Sequence, residues 1–248
     1  MNDQTKKLKI LNPLFISVPL IFFLDIIGLF VYFKSFWPNM FLDNLPDSPI
    51  SLVFSIISII LSLLINLQLI DNFQLYFDKK LIFENHEYWR AFTSIFCFGS
   101  LSTGTVINLV FFVRSLTYAE SSFFSGQPAD FILFSLFGWI VIWAYACFHP
   151  TLFLGQFFNS YVTYYFYKRS PDVHIVVVGI VALAPYVPII MLAINLLFNG
   201  ARSLLMDIIG FSAAHMFFFI KDVLGLRYNI RVLCAPQWAN EGLKKLLS

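Results

Sequence analysis

The chain is short of charge, of cysteine and of any long hydrophilic stretch. Only 12% of its 248 residues are Asp, Glu, Lys or Arg, against about 25% in a soluble globular domain. That excludes a soluble fold, and nothing is polar enough for a separate soluble domain. A net charge of +2 without a basic run argues against a nucleic-acid partner. Cys97, Cys147 and Cys234 are odd in number, and the first two lie in apolar surroundings. They read as small buried hydrophobes rather than a disulfide framework or a metal site, and no cofactor is implied. No Asn-x-Ser/Thr sequon occurs, so glycosylation cannot fix orientation.

Long apolar runs are what the chain has instead. They are Pro13–Phe33, Ser51–Ile70, Ala91–Val113, Asp130–Phe148, Thr151–Tyr167, His174–Phe198 and Ser203–Leu224. About 20 apolar residues cross a hydrocarbon core as a helix, and continuous rather than alternating runs exclude a barrel. The expected fold class is therefore all-α, a polytopic membrane bundle. The first run follows Lys6, Lys7 and Lys9 and is broken only by Asp25. It is long for a signal peptide, so an extra uncleaved hydrophobic helix is expected. The linker after it, with three prolines and two aspartates between Lys34 and Pro49, marks a boundary. The expected division is an extension over 1–44, a membrane domain over 45–236 and a tail over 237–248.

Loop charge orients the later runs. One side holds Lys79, Lys80, Arg90 and Arg202; the other holds Arg114, Lys168, Arg169, Lys221, Arg227, Arg231, Lys244 and Lys245. The richer side is assigned to the cytosol, with the C-terminus. The N-terminal lysines disagree if the first run spans, so that run spans, lies along the surface or is removed. Between Asp71 and Arg90, aromatic residues alternate with charges, which fits segments lying at the headgroup level or a cap over the helices.

His215, within Gly210-Phe-Ser-Ala-Ala-His215, is an ionisable group in an apolar run and hence a functional candidate. Small residues before it permit close helix approach. Three roles stand open: base of a serine protease, metal ligand, or buried polar partner. His86, His149 and His174 lack ligand spacing with it. An intramembrane serine protease of the rhomboid type presents Gly-x-Ser-Gly on the helix after His149-Pro150, where this chain reads Gly155-Gln156-Phe157-Phe158. Phe157 occupies the nucleophile's place, and a phenyl ring cannot attack a carbonyl. Ser160 is the nearest hydroxyl, without small residues around it.

The order and spacing of many short motifs resemble the Derlin family, the rhomboid pseudoproteases of the endoplasmic reticulum. They include Phe73-Gln-Leu-Tyr-Phe77, Tyr88-Trp-Arg-Ala-Phe-Thr93, Asn108-Leu-Val-Phe-Phe-Val-Arg114, Phe153-Leu-Gly-Gln156, Arg169-Ser-Pro171, Ala184-Pro-Tyr-Val-Pro188, Asp207-Ile-Ile-Gly210 and His215-Met-Phe-Phe-Phe-Ile-Lys-Asp-Val223. The resemblance implies a six-helix rhomboid-like bundle, multi-pass in the endoplasmic reticulum membrane; the extra N-terminal helix is not part of that pattern. It implies a non-enzymatic factor that thins the bilayer and gates misfolded proteins toward the cytosol. The alternative is an active protease using Ser160. The resemblance carries functional-motif roles onto Trp89, Arg90, Gly210 and His215. It implies membrane lipids, misfolded proteins, a RING-type ubiquitin ligase complex and an AAA ATPase as partners. The tail lacks the Gly- and aromatic-rich box that recruits the ATPase in some Derlins, so that contact is expected to be indirect. A homo-oligomer stays open, as does a plastid-derived membrane. The short helix Thr151–Tyr167 offers Gln156, Asn159, Thr163 and Tyr164 either to line a substrate path or to bond neighbouring helices.

Overall fold

A computed structural model describes residues 48–149, 153–177, 180–228 and 233–247. The expected helix Pro13–Phe33 lies outside the described residues. Five main helices build the frame. They are α1 (Pro49–Asn66), α5 (Thr103–Tyr118), α6 (Pro128–Phe148), α7 (Gly155–Arg169) and α9 (Ala201–Phe218). Short helices α2 (Asn72–Leu75), α3 (Lys79–Phe83) and α4 (Trp89–Phe96) fill the link between α1 and α5. A 13-residue helix α8 (Val187–Asn199) precedes α9. Wide turns at Ala119–Phe123 and Phe219–Leu224 extend α5 and α9, and α10 (Gly225–Tyr228) and α11 (Gln237–Leu247) follow. The result is the expected all-α membrane bundle. Among the described residues three helical stretches, Pro49–Asn66, Pro128–Phe148 and Ser203–Leu224, are long and apolar enough to cross a bilayer.

The chemistry of α1 explains its placement. Ser51, Ser55, Ser58 and Ser62 recur at helical spacing and are all buried, while Leu52, Val53, Ile56, Ile57, Ile59 and Ile60 are exposed. A soluble helix turns its oil inward; here the small hydroxylated stripe faces the bundle and the oil faces out, as a lipid solvent requires. Ser51 Oγ donates to the Leu116 carbonyl at 2.9 Å. The helix begins at Pro49, where a missing N–H costs nothing. Its first free N–H groups, of Ile50 and Ser51, donate to Glu120 at 3.2 and 2.6 Å. A carboxylate on another element thus caps α1, satisfying its dipole and its orphan donors together.

Two expected runs are not single helices. Ala91–Val113 is broken between Phe96 and Thr103. Gly99 there has φ +85, a backbone region that favours glycine, and Ser102 Oγ then accepts from Thr105 N to start α5. The first part of His174–Phe198 is an antiparallel hairpin instead. His174–Val177 pairs with Ile180–Leu183, His174 opposite Leu183. β-Branched residues dominate those strands, and Pro185 and Pro188 forbid one helix through 174–198.

Aromatic rings fill the centre. Phe134 meets Tyr161, Tyr165 and Phe217 with centroids 4.7, 4.7 and 5.1 Å apart, each pair adding about 0.5–1.5 kcal/mol beyond area burial. Trp139 is buried against Phe54, Phe96 and Phe158. Cys97 is fully buried in the non-helical link after α4, and burial pushes its thiol up to about 11. At pH 7 only about one such thiol in ten thousand is ionised. A maleimide probe is therefore expected to label Cys234, which is exposed, and to spare Cys97 until the protein is denatured. Mass spectrometry of the labelled peptides checks this.

Candidate functional site

The most polar part of the interior is built around Asp207, on the second turn of α9 and 1% exposed. Its Oδ1 accepts from Gln156 Nε2 at 2.7 Å and from Ser160 Oγ at 2.5 Å, both on α7. Its Oδ2 accepts from Asn195 Nδ2 on α8 at 2.9 Å. The chain of bonds continues outward. Asn108 Nδ2 of α5 donates to Gln156 Oε1 at 2.8 Å, and Asn159 Nδ2 donates to Asn108 Oδ1 at 3.5 Å. Thr163 Oγ1 donates to Asn159 Oδ1 at 3.3 Å and lies 3.4 Å from Ser115 Oγ. One network therefore joins α5, α7, α8 and α9. Buried polar groups persist in a membrane interior only when satisfied in this way.

Two of the same helices, α7 and α9, also approach closely at the backbone. A Cβ on Gly210 would stand 2.5 Å from the Phe157 carbonyl oxygen and 2.8 Å from Ser160 Cβ. Gly210 is three residues, about one turn, beyond Asp207. The contact that admits the Asp207 carboxylate to α7 is thus set by the missing side chain beside it. Phe157 itself is 1% exposed, packed with Tyr145 at a centroid distance of 5.6 Å.

His215 lies apart from this network. It is exposed, more than a turn further along α9, and its Nδ1 is 2.9 Å from Tyr164 Oη. Tyr164 in turn packs on Phe211 at 5.5 Å. The hydroxyl facing the imidazole is thus a phenol, while Ser160 Oγ is held by Asp207 and the Gln156 carbonyl. All four residues offered on α7 bond neighbouring helices: Gln156, Asn159 and Thr163 within this network, and Tyr164 to His215 of α9 on the outer face.

Trp89 and Arg90 open α4 and diverge. Trp89 is 56% exposed, whereas Arg90 is buried. Its guanidinium donates to the Phe73 carbonyl at 2.7 Å and the Tyr76 carbonyl at 3.5 Å, pairs with Glu87, and stacks 5.3 Å from the Tyr76 ring centroid. The planar fork holds three parts of the 71–90 link at once, a task a lysine cannot copy. Arg90→Lys is expected to loosen this link, raising tryptic cleavage after Lys79 and Lys80 at least several-fold in a timed digest, while Trp89→Phe leaves it unchanged.

A profile of the Der1-like family matches residues 48–237, which span all of these elements up to the start of α11. The chain belongs to the Der1-like family. Similar proteins include a probable derlin-2 homolog from Dictyostelium discoideum, 30% identical over 186 residues and covering 72% of each chain. Derlin-1.1 of Zea mays is 27% identical over 207 residues, covering 82% of this chain and 84% of its own. Derlin-2.2 of Arabidopsis thaliana is 25% identical, covering 70% and 75%. Together with the long apolar helices, this makes the chain a multi-pass membrane protein of the Der1-like family.

Sequence reasoning missed Asp207 as a site residue, although it sits in the same apolar run as His215 and the same argument from intramembrane charge applies to both. Asn108 and Asn195 carried no such signal, because a lone amide in an apolar helix has no recognisable spacing. At the opposite end of the bundle from α4, Lys221 lies 3.7 Å from Asp130 and Arg169 3.6 Å from Asp222. Those pairs close the ends of α6, α7 and α9.

Proposed function

We propose that this protein is a non-catalytic retrotranslocation factor of the endoplasmic reticulum membrane. It thins the bilayer locally and passes segments of misfolded proteins toward the cytosol. The observation that carries the reading is the pairing of two short helices with a shared polar interior. Helix α7 has 15 residues and α8 has 13, about 22 and 20 Å of helix against about 30 Å of hydrocarbon. Short helices draw the lipid surface inward at a modest cost per Å, and the Asp207 network between them lowers the penalty for polar peptide groups near the midplane. Gln156 is satisfied by Asn108 and Asp207, and Asn159 by Asn108 and Thr163; a passing polar chain would exchange for those bonds.

Non-catalysis is supported by the same geometry. Phe157 supplies no nucleophile, and Ser160 is turned toward a carboxylate rather than the imidazole of His215. A serine-directed fluorophosphonate is expected to leave the protein unlabelled; stoichiometric labelling of Ser160 would instead establish the protease. Partners in this reading are a RING-type ligase complex and an AAA ATPase reached indirectly, with membrane lipids as the working medium. Depleting the protein is expected to lengthen the half-life of a misfolded lumenal substrate several-fold in a chase experiment. Unchanged degradation sinks the proposal.

A further inference from the structure

Helix α11 has an apolar stripe that the bundle leaves uncovered. Ala239, Asn240 and Leu243 are half-buried toward the body of the protein. Trp238 and Leu246 are 76% and 80% exposed, and with Gly242 they form an i, i+4, i+8 line on one side. Lys245 borders that line, and Lys244 follows on the polar face with Glu241.

The depth of this stripe is fixed by its attachment. Ala129 N donates to Asn240 Oδ1 at 2.9 Å. The segment leading into α11 is tied to the same place, Ala235 N donating to Asp130 Oδ1, which is also the partner of Lys221. Ala129 and Asp130 belong to the first turn of α6, a helix long and apolar enough to span. The stripe is therefore held at the level where α6 enters the hydrocarbon, which is the headgroup zone. Lys168, Arg227, Lys244 and Lys245 are exposed at this end of the bundle, with Glu241 as the acidic residue of the helix itself.

We infer that α11 is an interfacial anchor that reads the charge of the adjoining leaflet. Trp238 and Leu246 seat at the boundary of headgroups and acyl chains, an arrangement suited to an amphipathic helix with an aromatic edge. Lys244 and Lys245, with Lys168 and Arg227 exposed at the same end of the bundle, attract anionic lipid headgroups. Two lysines near such a surface favour the seated helix by about 30-fold. The inference stands whether or not the protein gates misfolded chains.

Hydrogen–deuterium exchange on the full chain, reconstituted in vesicles, tests it. Amides of the 237–247 peptide are expected to exchange up to about 30-fold more slowly in phosphatidylcholine mixed with phosphatidylserine than in phosphatidylcholine alone. High salt and the pair Lys244→Glu with Lys245→Glu should each abolish that difference, with exchange across α6 and α9 unaltered. Trp238→Ser with Leu246→Ser should speed exchange in both lipids. Equal rates in the two lipids overturn the inference, as does a lipid response that survives charge reversal or high salt.

Discussion

Asp207→Ala is expected to lower the stability of the bundle by about 2–3 kcal/mol, three lost contacts at roughly 0.6–1 kcal/mol each. The substitution removes the acceptor for Gln156, Ser160 and Asn195 at once. Those donors sit among helices, where no solvent replaces the missing oxygen. Asp207→Asn keeps one acceptor oxygen and is expected to cost about half as much. Thermal unfolding of the purified protein in detergent, followed by the emergence of the buried Cys97 thiol, reads both variants on one scale. An alanine variant that unfolds at the parent temperature would mean that the network is dispensable. The functional reading adds a second expectation: with α8 released from α9, retrotranslocation should fall in cells even where a large fraction of the variant remains folded.

How much of this was readable from the chain differs by element. Helices α1, α6 and α9 are legible because their apolar runs match the span of a bilayer, whereas the inward side of α1, its serine stripe, is shown by the structure. The region 91–113 is one continuous apolar run by hydropathy, which averages over a break. The signal for that break was Phe98-Gly99-Ser100, where glycine adopts positive φ. The strand pair His174–Val177 and Ile180–Leu183 is hidden for a related reason, since a short run of β-branched residues is equally apolar in a strand and a helix. Prolines at 185 and 188 were the available warning.

The site was legible in part. Phe157 and the two motif pairs could be placed by order and spacing, but hydropathy and motif spacing cannot say which polar residue faces which. His215 and Asp207 carry the same cost in an apolar run, yet they differ by eight residues, about 80° around a helix. That rotation puts the carboxylate into the four-helix network and the imidazole on the outer face with Tyr164. Asp207 emerges only once Gly210 lets α9 approach α7 closely enough for side chains on both to meet.

Gly210 therefore carries the second large effect. A methyl group there would meet the Phe157 carbonyl oxygen at 2.5 Å, and this neighbour is backbone, so no rotamer change relieves the clash. Gly210→Ala is expected to cost about 1–3 kcal/mol, the range for overpacking, and Gly210→Leu to prevent α7 and α9 from closing at all. Gly242→Ala provides the contrast, since a Cβ there meets nothing within 4 Å; in a helix it should be neutral or stabilising by up to about 1 kcal/mol. Thermal unfolding in detergent separates the two substitutions. If the helices merely lie near each other, both alanines should behave alike. If their contact positions the Asp207 network, Gly210→Ala should also weaken the dependence of stability on Asp207, so that the double variant Gly210→Ala/Asp207→Ala loses less than the sum of its parts. Additive losses would separate the close approach from the polar network and leave Gly210 a packing residue alone.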